Sequence, residues 1–452
     1  MTIRIANGQG FWGDWSEAPK MQLRNGPIDY LTMDYLAEIT MSIMQKQKAK
    51  DPDRGYARDF IGLMDDIMEE CLEKDVTVIT NAGGLNPESC QQALLELAES
   101  KGLSPKIGMV SGDNIIDQLD ELEEQGANFD NYDTGESFDK IRDEVATANV
   151  YLGSPPILEA LEDDADIIVT GRCTDSSIVI APLLYEYGWD YDQHDLLASG
   201  MIAGHLLECG GQATGGNYEG EWQNIEGLHK LGYPIAEVDE DGTIVITKHD
   251  NLGGKVERGS VMQQLLYEVG DPSKYIAPEV IADITEAELE EVGENRVQFT
   301  GVKGKPPTDT YKVSMAYEDG YKSEASLAYA WPNALEKAKK GEELLRKRFE
   351  EMDLEYEKIN FEYLGYNGIY GEATPNPPDD PPEVILRAAL RGPNKDDINR
   401  FGREIAPLVF RGPACATAYG GGRPRAKPII QYWPALVEKD LVEPNVSVKE
   451  AG

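Results

Sequence analysis

DIIVTGRCTDSS, Asp166 to Ser177, followed by IVIAPLLYEYG, Ile178 to Gly188, decides the fold. Ile167 to Thr170 are four β-branched residues in a row, which predicts a short buried strand. A glycine, a cation, a carboxylate and several hydroxyls follow directly. The apolar run after them has the length of a core helix, which Pro182 either bends or starts late. Strand, polar turn, helix is the layout by which open α/β sheets place ligands outside the carboxyl ends of their strands. A helix N-terminus there offers unpaired N–H groups to an anion.

Working outward, Ile3 to Ile5 predicts a first strand, ending in the glycine-rich NGQGFWGD (Asn7 to Asp14). Helical spacing runs through Tyr30 to Gln47 and through Ala57 to Leu72. Val76 to Thr80 is a strand ending in NAGGLNP (Asn81 to Pro87), and Glu88 to Ser100 a helix. Lys106 to Val110 ends in SGDN (Ser111 to Asn114), and Ala148 to Leu152 ends in GSPP. Strands that alternate with helices and end in Gly, Ser, Asn or Asp predict a parallel sheet with covering helices. The loops at 81–86, 111–114, 152–156 and 170–177 are therefore expected on one edge of it.

Beyond Gly216 the pattern changes. Asp241-Gly242 between two alternating runs signals a hairpin, and a helix is expected at Val261 to Val269. From Tyr311 the order strand, helix, strand, strand, helix predicts a ferredoxin-like, split-βαβ part. The fold class is thus α/β, an N-terminal parallel sheet with covering helices plus a C-terminal α+β part. The expected domains are 1–230 (α/β core), 231–310 (a β-rich connection) and 311–452 (α+β). TPNPPDDPP (Thr374 to Pro382) reads as an exposed loop.

The formal net charge is −40, carried along the whole chain, as at Asp117 to Glu124, Glu286 to Glu291 and Glu350 to Glu357. Helical apolar spacing in these segments makes them solvated surface rather than a disordered tail. Nucleic acid and anionic membranes are poor partners for such a chain. No apolar run reaches the roughly 20 residues that span a bilayer, and the start has no signal-peptide pattern. Five scattered cysteines without a CxxC pair give neither a disulfide framework nor a structural zinc site. A reducing cytoplasm in a salt-adapted host is the expected setting. Thermal midpoints should then rise between about 0.1 M and 2 M KCl, where screening shortens the Debye length to about 3 Å or less. A flat or falling curve in a melting series removes that expectation.

Three clusters carry candidate chemistry. Asn81, Gly83 and Gly84 either turn the chain or present amides to a phosphate or carboxylate. Arg172, Thr174, Asp175 and Ser176 follow the central strand. Arg172 either clamps an anion bidentately or pairs internally with Asp175, and Asp175 is either a general base or a helix cap. A ligand role predicts that Arg172→Lys and Arg172→Ala fold but lose affinity by at least about tenfold; an internal pair predicts that both unfold. Lastly, GHLLECGGQATGG (Gly204 to Gly216) sets His205, Glu208 and Cys209 at i, i+3 and i+4, on one helical face. They share a proton, hold a metal with a ligand from elsewhere, or form a satisfied buried group. His249 beside Asp250 is a weaker candidate of the same kind, and His194 and His229 read as surface. RGPACATAYGGGRPRAKP (Arg411 to Pro428) combines four basic residues with a triple glycine, suggesting an anion pocket, a subunit contact or an ordinary loop.

At NAGGLNP, TGRCTDSS, GHLLECGGQATGG, GYPIAEVD, QQLLYEVGDP and FGREIAPLV the chain resembles the acyclic terpene utilisation protein A (AtuA) family. IRIANGQGFWGDW, IDYLTMDYLAEITM and KDPDRGYARDF extend the resemblance over nearly the full length. The resemblance implies a role in breaking down acyclic terpenes through branched acyl-CoA intermediates. It also implies a small extra C-terminal domain in longer relatives, which a separately encoded small subunit would supply here. The resulting expectation is a homo-oligomeric enzyme that moves a proton next to a thioester or carboxylate, in hydration or carbon–carbon cleavage. His205 with Glu208 or Asp175 would move the proton. Arg172, Thr174, Ser176 and the Asn81–Gly84 loop would hold the small-molecule substrate, a CoA thioester being the candidate. No resident cofactor or metal is assigned. The rival is a non-catalytic anion-binding or scaffolding subunit, and a third reading is a metal-dependent lyase using His205, Glu208 and Cys209.

Overall fold

A computed structural model describes residues 1–420 and 423–452. The chain forms two compact units, Met1–Ala316 with Tyr432–Gly452, and Tyr317–Gln431. The first unit opens with β1 (Thr2–Gln9), α1 (Ala18–Arg24), β2 (Tyr30–Met33), α2 (Glu38–Lys48), α3 (Arg58–Glu73), β3 (Thr77–Thr80) and α4 (Pro87–Lys101). It continues through β4 (Lys106–Ser111), α5 (Leu119–Glu124), β5 (Val145–Val150), α6 (Pro155–Glu162), β6 (Ile167–Thr170), α7 (Ser177–Tyr187) and α8 (His194–Glu208). Then come β7 (Ile235–Asp239), β8 (Ile244–Thr247), α9 (Arg258–Leu266), β9 (Tyr275–Ile276), β10 (Ile281–Asp283), β11 (Glu288–Gly293), β12 (Arg296–Thr300) and β13 (Lys303–Lys305).

The strands build a mixed ten-stranded sheet in the order β11-β12-β8-β7-β1-β2-β3-β6-β4, followed by the C-terminal strand Asn445–Glu450. Its five middle strands, β1, β2, β3, β6 and β4, run parallel. Val78, Ile79, Ile167, Ile168 and Val169 are buried on both faces, as parallel strands roofed by helices must be. The sheet is not parallel throughout, because β7 pairs antiparallel with β1 and, across the Asp241-Gly242 hairpin turn, with β8. For the same reason residues 231–310 do not stand apart as a connection; β7, β8, β11 and β12 extend the first unit's sheet.

Helix ends follow their sequence signals. Asn86 Oδ1 accepts the Ser89 N–H at 3.3 Å, Pro87 opens α4, and Gly102 at φ 68° closes it. Helix α3 buries Phe60, Leu63, Met64, Ile67, Met68 and Cys71, an i, i+3, i+4 stripe.

The second unit takes up β14 (Thr310–Ala330), which starts in the first, then α10 (Ala334–Glu351), β15 (Lys358–Leu364), β16 (Glu383–Gly392), α11 (Lys395–Ile405), α12 (Leu408–Arg411) and β17 (Ala416–Ala418). β18 (Lys427–Glu438) leads back to the first unit and to β19 (Asn445–Glu450), which pairs antiparallel with β4. The second sheet has the order β15-β16-β14-β17, these three pairs being antiparallel, and β18 and β5 also pair with β14. Its core joins Ala338, Leu345 and Phe349 of α10 and Ile398, Phe401 and Ile405 of α11 to Leu386 and Leu390 of β16.

Three local expectations are corrected. Tyr30–Gln47 is not one helix: Tyr30–Met33 is a strand, and α2 begins at Glu38. Ala148 to Leu152 does not enter the parallel sheet, because β5 pairs with β14. Pro182 does not delay α7, which begins at Ser177. Among the described residues no helix is long and apolar enough to cross a membrane.

Candidate functional site

The carboxyl ends of the parallel strands meet one another. Asp34, directly after β2, donates its N–H to the carbonyl of Gln9, the last residue of β1, at 2.9 Å. Its Oδ1 accepts the Leu36 N–H at 3.0 Å and Asn81 Nδ2 at 2.5 Å, while Asn81 Oδ1 accepts the Tyr35 N–H at 2.7 Å. Asn81, fully buried after β3, therefore binds the 34–36 turn. Gly83 and Gly84 serve close approach: a Cβ on Gly83 would lie 2.5 Å from Thr170 O, and one on Gly84 2.2 Å from Met44 Sδ. The Gly84 N–H goes to Asn81 O at 3.2 Å. The turning role of this loop has the geometry in its favour.

Arg172 is 3% exposed. Its backbone N–H donates to Asp113 Oδ2 at 2.9 Å, and its guanidinium reaches the Leu36 carbonyl, Asp175 Oδ1 at 3.2 Å, and the Tyr151 ring at 4.1 Å. A Cβ on Gly171 would lie 2.0 Å from Asp113 Oδ1, so a side chain there would displace the carboxylate that holds the Arg172 N–H. The 152–156 loop joins the edge as well: Thr174 N–H donates to Leu152 O at 2.9 Å, and Leu152 bridges to Cys173 in parallel. Thr174 is half-buried. Ser176, buried at the start of α7, has an Oγ with no hydrogen-bond partner among the described residues.

Helix α8 brings in the second cluster. A Cβ on Gly204 would sit 2.6 Å from Ser176 Cα, and one on Gly10 2.7 Å from Gly210 N and 3.0 Å from Glu208 O. The two glycines thus let α8 lie against the start of α7 and the end of β1. His205, 1% exposed, places Nδ1 3.0 Å from Glu208 Oε1 and 3.1 Å from the Tyr275 hydroxyl, with Nε2 3.2 Å from Leu265 O. A carbonyl only accepts, so Nε2 carries a proton. The Nδ1–Glu208 contact then holds one further proton, shared between imidazole and carboxylate. Both ring nitrogens are engaged by protein atoms, and among the described residues no group of three or more His, Cys, Asp or Glu side chains is arranged to hold a metal. The metal-lyase reading with Cys209 lacks that geometry.

Burial pulls the His205 pKa down, but the Glu208 charge and hydrogen bond, with the Leu265 carbonyl, hold it above 6.5. Burial pushes Asp34 up to about 6, against the pull of Arg172 and Asn81, and Glu208 adds to the rise. Burial likewise raises Asp113 to about 6. The Cys173 and Cys209 thiols are pushed up to about 12 by burial, which leaves neither a nucleophile near neutrality. His249, buried with Nε2 2.8 Å from Gln22 O, is structural, and burial lowers its pKa.

The signs fix a pH dependence. His205 binds its proton more tightly folded than unfolded, so its contribution is complete below about pH 6.5 and disappears as pH rises through the folded value. Asp34 and Asp113 share that sign over about pH 4 to 6. Thermal midpoints should fall from pH 6 to pH 8, and fall less in His205→Asn. Equal falls in both proteins would remove His205 from the account.

Of the residues expected from sequence, Arg172, Thr174, Asp175, Ser176 and Asn81 gather at this edge, and His205 with Glu208 lies beside them on α8. Asp34 and Tyr275 were not among them. Asp34 sits in a run with helical spacing, and Tyr275 lies outside any polar motif. The last two glycines of the triple-glycine segment, 421 and 422, lie outside the described residues. A sequence model described as the acyclic terpene utilisation family protein AtuA matches residues 3–448. No curated protein and no solved structure matches the chain.

Proposed function

We propose, for a chain that belongs to the acyclic terpene utilisation family AtuA, an enzyme that moves a proton next to the carboxylate or thioester of a branched acid. Hydration or carbon–carbon cleavage of an acyl-CoA in terpene breakdown is the reaction class. The observation that carries the reading is the His205–Glu208–Tyr275 cluster, which keeps a proton on a buried imidazole, near Asp34, a carboxyl titrating at about 6. A buried imidazole whose proton is held more tightly than usual and a carboxyl raised toward neutrality suit an acid and a base. In this reading Arg172 positions the 34–36 turn, and Asp175 neutralises it. Thr174, Ser176 and the start of α7 are the ligand side of the site. The 317–431 unit is read as ferredoxin-like from its βαββα order. The acidic surface is read as adaptation to salt in a cytoplasm.

One observation favours a second reading, a scaffolding subunit without chemistry of its own: Arg172, Asn81 and His205 are all buried and bonded within the protein. Hydrogen exchange separates the two. Wild-type protein incubated in D2O with isovaleryl-CoA and 3-methylcrotonyl-CoA should place deuterium on the carbon beside the thioester, or on its vinylogous methyl, at least about 100-fold faster than buffer. Mass spectra without exchange in either compound favour the scaffold.

A further inference from the structure

We propose that the described residues between Glu404 and Glu438 carry the face by which one copy of this chain docks on the acidic surface of a second copy. Of the 452 residues 82 are acidic, yet none falls between these two glutamates, the longest such gap in the chain. Four cations do fall there, Arg411, Arg423, Arg425 and Lys427. Arg411 meets Glu404 at 3.4 Å. Arg423, Arg425 and Lys427 are exposed and make no ion pair among the described residues.

The same segment exposes large apolar groups. Phe410 on α12 is 95% exposed, while Leu408, two residues earlier, is buried in the second unit's core. Tyr419 is 59% exposed, and Trp331, outside the segment and directly after β14, is 63% exposed. The backbone gathers them: Ala330 N–H donates to Cys415 O at 3.1 Å, Tyr419 N–H to Ser326 O at 3.2 Å, and β17 pairs with Leu327–Tyr329 of β14. β17 ends its sheet's strand order, with Thr417 and Ala418 exposed. Exposed aromatics beside a sheet edge mark an association surface, and aromatic residues with arginine are what interface centres favour.

Charge selects the occupant. A chain with 82 acidic against 42 basic residues repels its own copies except where cations face carboxylates, so this segment is the place where a second copy is attracted. Cations and aromatics also suit a nucleic acid; a gel shift of a short single-stranded oligonucleotide in about 0.15 M KCl would mark that occupant and overturn the proposal. In a two-fold arrangement each copy's segment meets the other's acidic face.

The test is sedimentation of the full chain, whose monomer mass is 49.9 kDa. At about 10 μM in about 0.15 M KCl the wild type should sediment at twice that mass or more. Phe410→Glu and the double variant Arg423→Glu/Arg425→Glu should each weaken assembly by at least about tenfold, with unchanged far-ultraviolet circular dichroism. Carbodiimide coupling in a mixture of ¹⁴N and ¹⁵N chains should join Lys427 to a carboxylate of the other isotope. A monomeric wild type, variants that assemble like wild type, or couplings within single chains only would each overturn the proposal.

Discussion

Arg172→Ala is expected to lose about 3 kcal/mol of unfolding free energy, the low end of the 3–5 kcal/mol for breaking a buried ion pair. The guanidinium is 4% exposed and bonds the Leu36 carbonyl, while the Asp175 carboxylate is 28% exposed and regains water when its partner leaves. Truncation also empties the space over the Tyr151 ring. The turn it anchors carries Asp34, so the loss reaches the site as well as the fold. Arg172→Lys should lose less, about 1–2 kcal/mol, because an ammonium keeps the charge but not the planar fork. Urea denaturation measures both. An alanine variant within about 0.5 kcal/mol of wild type would contradict the positioning role and restore a ligand role for this arginine.

His205→Asn should slow deuterium exchange into an acyl thioester by about 10²–10⁴-fold, the range for loss of a general acid–base group. Asparagine keeps an N–H for the Leu265 carbonyl but has no titratable proton. Glu208→Gln supplies the complementary result. It removes the charge that holds the imidazolium, so the pH profile of exchange should shift to lower pH while the protein stays folded. Exchange at wild-type rate in His205→Asn would leave the cluster structural.

How far the sequence reaches is clear from single residues. Ile167 to Thr170 announce their strand because four β-branched residues suit little else. Strand-end glycines and polar residues likewise indicate where the loops at 81–86 and 170–177 meet. The i, i+3 spacing of His205 and Glu208 places them on one turn of α8. Tyr30–Met33 escapes because its apolar residues run in phase with α2, and only pairing with β1 and β3 makes it a strand. β5 pairs with a strand more than a hundred residues later in the chain, a partnership without any local signal. Arg172 stands between: its burial follows from its place after β6, but its choice between Asp175 and a ligand depends on side-chain geometry.

The chain has four histidines, so ring-nitrogen NMR of ¹⁵N-histidine protein against pH tests the central claim, a proton stored on His205, without a substrate. The account predicts one histidine, missing from the His205→Asn spectrum, whose ring titrates above about 6.5. A His205 signal that titrates below about 6.5 would contradict it.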